Sequence, residues 1–335
     1  MTVLATAGAW ELLVEPWQYA FMQRALLVTV VASVVCALLS CWLVLIGWSL
    51  MGDAVSHAVL PGVVLAYLLG APFAVGAFAF GVGAVALIGW VRATSKVKED
   101  AAIGVVFTTV FALGVVLVSI TPSQVDLTHI LFGNVLGVAD GDVVQVLVLA
   151  AAAFGLLVGL RRDFTLYAFD ATHGHVIGLP VRRTGTLLLG LLAVTVVVAL
   201  QAVGVILAVA MLITPGATAY LLTDRIWRML WIAPVMAAIC AAVGVWASYA
   251  LDVASAGLVV VAQGMAFGLA YAWSRIRQSL PGAVPTGGQR RRVPKIDRVI
   301  SRPSAVPADR RKLSTGDERR DVDRERPEVC LRDDD

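Results

Sequence analysis

The chain has 335 residues, of which 59% are hydrophobic and only 15% are charged, and its net charge is +3. Soluble domains are about 45–50% apolar and about 25% charged, so this composition excludes an ordinary soluble protein. The small positive charge does not indicate nucleic-acid binding, because the basic residues lie at the ends of apolar runs and near the C-terminus. Only helices and closed barrels satisfy their backbone polar groups in lipid, and the long apolar runs favour helices. We therefore predict an all-α, polytopic membrane protein.

Apolar runs divide most of the chain into candidate membrane spans, each of which needs about 20 apolar residues. The nine runs are residues 25–47, 54–69, 73–91, 101–120, 142–160, 184–200, 202–222, 229–250 and 256–274. The number falls to eight if one segment is re-entrant. Residues 1–23 precede the first run and contain Trp17 and Tyr19, which favour the headgroup level, so they are predicted to form an interfacial segment.

Lysine and arginine cluster in alternate loops and after the last span. The clusters are Arg92, Lys96 and Lys98; Arg161, Arg162, Arg182 and Arg183; Arg225 and Arg228; and Arg275 and Arg277. With nine spans all of them lie on one side, which the positive-inside rule makes cytoplasmic. The protein is thus expected in the cell membrane, with its C-terminus in the cytoplasm.

Residues 24–277 are predicted to form the transmembrane domain, and residues 278–335 a tail of different composition. The tail holds 14 of the 26 basic and 11 of the 23 acidic residues, with almost no apolar periodicity. Such a segment cannot bury enough apolar surface to offset its ordering entropy. We therefore expect a disordered cytosolic tail.

Asp53 and His57 are the most informative residues, because they lie four positions apart in a region that otherwise resembles a membrane span. An intramembrane carboxylate is costly and usually marks a pathway or a bound ion. Positions i and i+4 share one helix face, and carboxylate and imidazole are both ligands of first-row metals. The alternatives are that Asp53 caps a helix and that His57 is a packed polar residue. Both residues are predicted metal ligands.

Two further segments are candidates for function. Residues 166–180 lie between two arginine pairs in a cytosolic loop that ends in Gly178, Leu179 and Pro180, as expected for a short surface helix that docks on a partner. Thr214, Pro215 and Gly216 should bend or interrupt an apolar helix. Broken helices are tolerated where they line a cavity or are buried in protein, so a pathway-lining role and a simple packing kink are both open.

The chain contains no Gly-x-x-x-x-Gly-Lys-Ser/Thr phosphate loop, so it does not hydrolyse ATP by that route. Nor does it contain His-Glu-x-x-His or Gly-x-Ser-x-Gly, which disfavours an intramembrane hydrolase. We expect a transport subunit and not an enzyme.

Several ordered motifs resemble the permeases of ATP-binding cassette importers for metal ions such as zinc, manganese or iron. The matching segments are residues 51–62 (MGDAVSHAVLPG), 98–104 (KEDAAIG), 126–134 (DLTHILFGN), 177–180 (IGLP) and 204–220 (from GVIL to LITPGATAY). They are spread over residues 20–275, and the tail lies outside the resemblance.

The resemblance implies a permease fold like that of the vitamin-B12 importer, with Asp53 and His57 at the membrane metal site. It also implies that the loop from Asp170 to Pro180 contacts the ATPase. The expected partners are a second permease copy, a cytosolic ATPase and an extracytoplasmic metal-binding protein. No permanently bound cofactor is expected, because the metal is the cargo.

The leading hypothesis is therefore a permease subunit that takes up a divalent metal and is energised by a separate ATPase. A secondary transporter that uses Asp53 as a proton or cation site is the alternative. A membrane metalloenzyme is disfavoured, because neither a third ligand nor a nucleophile lies near Asp53 and His57 in the sequence.

Overall fold

The computed structural model of the protein describes residues 18–121 and 140–279. All regular elements in these two segments are helices. We number them α1 (Ala20–Ile46), α2 (Ser49–Ala58), α3 (Leu60–Leu69), α4 (Phe73–Thr94), α5 (Glu99–Ile120), α6 (Asp140–Gly159), α7 (Arg161–Phe169), α8 (Ala171–Val176), α9 (Val181–Val203), α10 (Val205–Leu222), α11 (Ile226–Leu251) and α12 (Ser255–Ser279).

Eight helical segments among the described residues are long and apolar enough to cross a membrane. Helices α2 and α3 together form one of these segments (Ser49–Leu69), because Val59 between them keeps helical angles of φ −69° and ψ −25°. A ninth span results if α6 and α7, which are bent by 63° at Leu160, are counted as one broken span. The prediction of an all-α protein with eight or nine spans is confirmed.

Two helices begin earlier than predicted. Helix α1 begins at Ala20 and the second span at Ser49, five residues before the starts expected from the apolar runs. The early start of α2 encloses Asp53 within the helix, so this residue is not the N-cap. The predicted interfacial segment (1–23) and the predicted tail (278–335) lie mostly outside the described residues.

Helix α1 is the central helix of the bundle: 15 of its 27 residues are buried, and it packs along α10 and α11. Trp42 near its C-terminal end is completely buried. The indole Nε1 of Trp42 donates a hydrogen bond to Oγ1 of Thr165 at 3.2 Å, and its ring meets the ring of Phe164 edge-on at 5.7 Å. These contacts join α1 to α7, which follows the bend at Leu160.

Helix α5 is the least buried span, with only 17% of its apolar window covered by the rest of the chain. Its exposed apolar side chains are Val105, Leu113, Val115, Val116 and Ile120. In a bilayer such a face contacts either acyl chains or another protein. Among the described spans, α5 is therefore the one with the least of its surface covered by the rest of the chain.

Contacts of aromatic rings show that three connections between helices lie at one end of the bundle. Trp48, between α1 and α2, meets Tyr167 of α7 edge-on at 6.1 Å. The guanidinium of Arg161, the first residue of α7, lies 4.9 Å over the ring of Trp227 at the start of α11. The arginine-rich segments around residues 161 and 225–228 therefore lie at the same end as the turn after α1.

The Lys96 and Lys98 loop belongs to this end too. Helix α5 runs parallel to α2 and α3, because Phe107 contacts His57 and the later residue Gly114 approaches Pro61. The start of α5 is therefore beside the start of α2. The basic loops thus share one end of the bundle, as the charge pattern requires.

Candidate metal site

Asp53 and His57 lie one turn apart on α2, with Nε2 of His57 3.4 Å from Oδ1 of Asp53. The side chains are 25% (His57) and 33% (Asp53) exposed. Both residues are therefore within reach of an ion that enters from a space beside α2, and neither is sealed in the core. The expected pairing on one helix face is present.

The turn that follows the pair is loosened by Pro61. Proline has no N–H, so the helical hydrogen bond to the carbonyl oxygen of His57, four residues earlier, cannot form. The chain nevertheless stays helical, since the N–H of Val59 donates to Val55 at 3.2 Å and the N–H of Val63 donates to Val59 at 3.1 Å. The one helical hydrogen bond that Pro61 removes is therefore that of His57 in the candidate site.

Two aromatic rings of α5 surround the imidazole of His57. The ring centroids of Phe107 and Phe111 lie 5.3 Å and 5.2 Å from that of His57, and the two phenylalanine rings stack on each other at 6.1 Å. Nδ1 of His57 is buried and has no hydrogen-bond partner among the described residues. The imidazole thus presents Nε2 to Asp53, and its other nitrogen is enclosed.

The enclosure of Nδ1 affects how strongly His57 can bind a metal. When Nε2 ligates an ion, the proton of the neutral ring is on Nδ1, and it usually donates to a carboxylate or a carbonyl that increases the basicity of the ring. No such acceptor is present in the part of the chain that the structure describes. His57 is therefore a weaker ligand than one with a hydrogen-bonded Nδ1.

Ser56, in the same motif, has a structural position. Its hydroxyl donates to the carbonyl oxygen of Gly52 at 2.8 Å, and the residue is 1% exposed. Gly52 itself faces Leu212 of α10, at 3.4 Å from the position that a Cβ would take. The motif thus divides into residues that pack (Gly52 and Ser56) and residues that face accessible space (Asp53 and His57).

Gly62, the last residue of the motif 51–62, allows two helices to approach closely. A Cβ built on Gly62 would collide with the backbone carbonyl oxygen of Gly76 in α4, and a Cβ on Gly76 would collide with the carbonyl of Gly62. The backbones of α3 and α4 are therefore in direct contact, as small residues allow between membrane helices.

A cluster of three or more His, Cys, Asp or Glu side chains that could hold a metal is absent from residues 18–121 and 140–279. Asp53 and His57 supply only two ligands. His173 and His175 are both exposed on α8 and do not join a larger donor cluster within the described segments. The pair on α2 is the strongest metal-binding feature of the described chain, and it is incomplete by itself.

The predicted ATPase-contacting loop is a compact turn of helix followed by a tight exit. Asp170 caps α8 by accepting the N–H of His173 at 2.8 Å. Gly178 has φ +90°, a conformation that favours glycine. Leu179 packs on Gly174, with its Cδ2 atom 3.2 Å from the position that a Cβ on Gly174 would take. The N–H of Leu179 also donates to the carbonyl oxygen of Gly174 at 2.9 Å.

The surface of this loop is apolar. Phe169, Val176 and Ile177 are 62%, 78% and 60% exposed. Beside them, a cavity of about 800 Å³ extends from Thr172 and His175 to Pro180 and Arg183. A short capped helix with apolar side chains that project from a basic surface has the features of a protein-docking element.

Thr214, Pro215 and Gly216 do not interrupt α10, which continues from Val205 to Leu222. Pro215 and Gly216 are buried against α1. The hydroxyl of Ser40 donates to the carbonyl of Ile213 at 3.3 Å and accepts the N–H of Gly216 at 3.1 Å. These contacts are those of a packed kink site, and a pathway-lining role stays a prediction.

Sequence reasoning missed Phe107 and Phe111. Their i, i+4 spacing in the apolar run 101–120 places them on one face of a helix, but nothing in the pattern indicates that this face meets His57. The contact follows only from the parallel packing of α2 and α5.

Known proteins with similar sequences and folds agree with this architecture. A manganese transport system membrane protein, MntB, from Synechocystis is 50% identical over 252 residues, which are 75% of this chain and 82% of the relative. The chelated iron transport system membrane protein YfeD from Yersinia pestis is 46% identical over 269 residues, which are 80% of this chain and 90% of the relative.

Among solved structures, PsaBC from Streptococcus pneumoniae in complex with Fab is similar, with a TM-score of 0.73 and 36% identity. The match covers 79% of this chain and 95% of that chain. The model of the ABC 3 transport family matches residues 18–274, which extend from before the start of α1 into α12. The chain belongs to the ABC 3 transport family.

Proposed function

We propose that this chain is the membrane-spanning subunit of an importer for divalent manganese or iron, with Asp53 and His57 as ligands of the passing ion. Family membership supports the transport role, and the two relatives described above are named for manganese and chelated iron. Those names favour manganese and iron over zinc, which the ligand types alone would also allow. The observation that carries the proposal is the Asp53–His57 pair.

The geometry of the pair suits one ion. Oxygen and nitrogen ligands lie about 2.1 Å from a first-row divalent ion such as zinc. Two ligand atoms 3.4 Å apart, as Oδ1 of Asp53 and Nε2 of His57 are, then subtend roughly 110° at the ion. This angle fits tetrahedral coordination and needs only a small adjustment for octahedral coordination. The ion would replace the direct contact between the two side chains.

A second copy of the chain would complete the site. Two ligands are too few for stable coordination, and the most exposed apolar face belongs to α5, the helix that packs on His57. A second copy that packs at this part of the bundle, beside α2 and α5, would bring another Asp53 and His57 close to the first pair. Water and the carbonyl oxygen of His57, which lacks its helical donor, are further oxygen ligands.

Weak ligation serves transport. A resident metal cofactor is normally fixed by four or more ligands with hydrogen-bonded second partners. Here each chain gives two ligands, and Nδ1 of His57 lacks an acceptor among the described residues. An ion held in this way dissociates readily once the pathway opens to the cytosol.

The energy for transport enters through the loop between Phe169 and Pro180. Its exposed apolar side chains would dock on a cytosolic ATPase, which would hydrolyse ATP, while this chain carries no phosphate loop of its own. The basic loops at the same end of the bundle support a cytoplasmic location for this surface. An extracytoplasmic metal-binding protein would deliver the ion at the opposite end.

An ATP-driven importer and a secondary transporter predict opposite results in one experiment. Uptake of radioactive manganese is measured in cells that express this chain with its ATPase, either active or with a hydrolysis-dead mutation. We expect uptake only with the active ATPase. Undiminished uptake with the inactive ATPase would instead support the secondary transporter that uses Asp53, an alternative that membership of this family disfavours.

A further inference from the structure

A polar cavity lies away from Asp53 and His57, at the end of the bundle that carries the basic loops. It has a volume of about 310 Å³ and is enclosed by the turn between α10 and α11 and by the last turns of α12. Its polar lining comprises Thr223, Asp224, Arg225, Arg228, Ser274 and Arg277, and Trp273 forms one wall. We call it the basic pocket.

The charge of the basic pocket is positive. Three arginines face one carboxylate, that of Asp224, and no ion pair joins these four side chains among the described residues. The pocket also lies at the N-terminus of α11, a helix of 26 residues whose dipole favours an anion there. An anionic ligand would therefore neutralise charges that the described residues leave uncompensated.

The backbone holds two of the arginines in place. The N–H of Arg225 donates to Oγ1 of Thr223 at 3.3 Å. The carbonyl oxygen of Arg225 accepts the N–H groups of Arg228 and Met229, both at 3.0 Å. The turn that presents Arg225 and Arg228 is therefore ordered before any ligand arrives, which lowers the entropic cost of binding.

Exposed tryptophans mark the depth of the pocket in the membrane. Trp227, Trp231 and Trp273 are 54%, 65% and 64% exposed, and they belong to the ends of α11 and α12 that form the pocket. Tryptophan is enriched at the headgroup level of bilayers. The arginines of the basic pocket therefore face the phosphates of one leaflet, with exposed apolar side chains such as Leu269 beside the acyl chains.

We propose that the basic pocket binds the headgroup of an anionic phospholipid, with the phosphate on Arg228 and Arg277. Arginine offers a planar fork of donors that matches phosphate oxygens. A zwitterionic headgroup would bring a cation towards the three arginines and is disfavoured. Asp224 fits a headgroup that carries hydroxyl groups, such as that of phosphatidylglycerol, because its carboxylate accepts a hydrogen bond from a hydroxyl.

The test compares lipid retention by the full-length protein, purified with the subunits that accompany it, in nanodiscs of phosphatidylcholine containing phosphatidylglycerol. Native mass spectrometry gives the ratio of the two lipids that stay bound. A charge-assisted hydrogen bond to a phosphate contributes about a tenfold effect, so Arg228→Gln and Arg277→Gln should each lower the enrichment of phosphatidylglycerol about tenfold. Arg162→Gln is the matched control, because Arg162 is exposed on α7 and outside the pocket.

A second variant separates lipid binding from damage to the fold. Asp224→Asn raises the positive charge of the pocket and should increase the enrichment, whereas a misfolded protein would lose it. The proposal is overturned if Arg162→Gln reduces the enrichment as much as the pocket variants do, since the effect is then only general surface charge.

Two other results would also overturn it. If inorganic phosphate stays bound to the protein in pure phosphatidylcholine as well as phosphatidylglycerol does in the mixed nanodiscs, the pocket is a site for a soluble anion. If the arginine variants keep the lipid enrichment but lose the copurifying ATPase, the pocket is a protein contact. Retained enrichment for Arg162→Gln and its loss in both pocket variants supports the proposal.

Discussion

The imidazole ring of His57 is nearly perpendicular to the ring of Phe111, with an interplanar angle of 79° and 5.2 Å between ring centroids. This relationship joins the helix that carries the metal pair to the helix that is least covered by the rest of the chain. A movement of α5 would therefore directly change the surroundings of His57, a proposed ligand. The packing of α2 against α5 connects any contact on the outer face of α5 with the site.

Phe111→Leu should weaken metal transport without unfolding the protein. Leucine keeps an apolar side chain but loses the ring contact, which is worth about 0.5–1.5 kcal/mol, or about two- to tenfold in an equilibrium. We expect the KM for manganese uptake to rise within that range because His57 is less well oriented. Phe78→Leu, at an exposed phenylalanine of α4, is the control and should leave the KM unchanged. An unchanged KM in Phe111→Leu would contradict a positioning role.

Asp53→Asn and His57→Gln should each reduce manganese uptake by at least about tenfold, because each removes one of the two proposed ligands that the described residues supply. Copurification of the ATPase should persist, since α2 is remote in sequence from the docking loop. Ser56→Ala is the control on the same helix: its hydroxyl bonds to Gly52 and does not face the pair, so uptake should stay close to normal. Normal uptake in both ligand variants would refute the assignment of the pair.

Gly62→Ala should destabilise the protein by more than about 2 kcal/mol, because the added methyl collides with the backbone of α4 and not with a flexible side chain. A lower thermal unfolding temperature in detergent is the measurement. Gly83→Ala is the matched control, as a Cβ at Gly83 meets nothing within 4 Å. That change should be neutral or stabilising, since alanine favours a helix over glycine by about 1 kcal/mol. Equal effects of the two substitutions would show that α3 and α4 are not in backbone contact.

Asp170→Ala should weaken association with the ATPase. Loss of an N-cap costs about 1 kcal/mol, and α8 has only six residues to compensate for it. We expect about a fivefold decrease in the copurifying ATPase, measured on a quantitative gel. Asp170→Ser keeps a capping oxygen and should restore the association. If serine fails to rescue while alanine has the expected effect, the carboxylate itself contacts the partner and the cap is not the cause.

The spans could be predicted from sequence because each is a long apolar run bounded by charge or glycine. Glu99 illustrates this: the predicted span 101–120 follows the charged residues Lys98 and Glu99, and α5 begins at Glu99. The pairing of Asp53 with His57 was also predictable, since it depends only on the helical repeat. Contacts between helices were not: His57 with Phe111, and Gly62 with Gly76, join residues whose proximity depends on how whole helices pack.

The apolar pattern does not indicate whether a helix continues through an unfavourable residue such as proline. Pro215 is predicted to bend or interrupt its helix, yet α10 continues through it, and Ser40 of α1 accepts the N–H of the next residue, Gly216. Tertiary packing overrides the local preference at that position. A sequence pattern contains no record of which hydroxyl will be opposite the proline.

The contact of Ser40 with Ile213 and Gly216 also has a mechanical consequence. A hydroxyl that both donates to and accepts from the same turn of α10 allows no sliding between α1 and α10 without breaking two hydrogen bonds in an apolar medium. These hydrogen bonds therefore oppose a displacement of α1 along α10. The proposed ligand His57 lies elsewhere, between the turn in which Pro61 removes one backbone hydrogen bond and the sparsely covered α5.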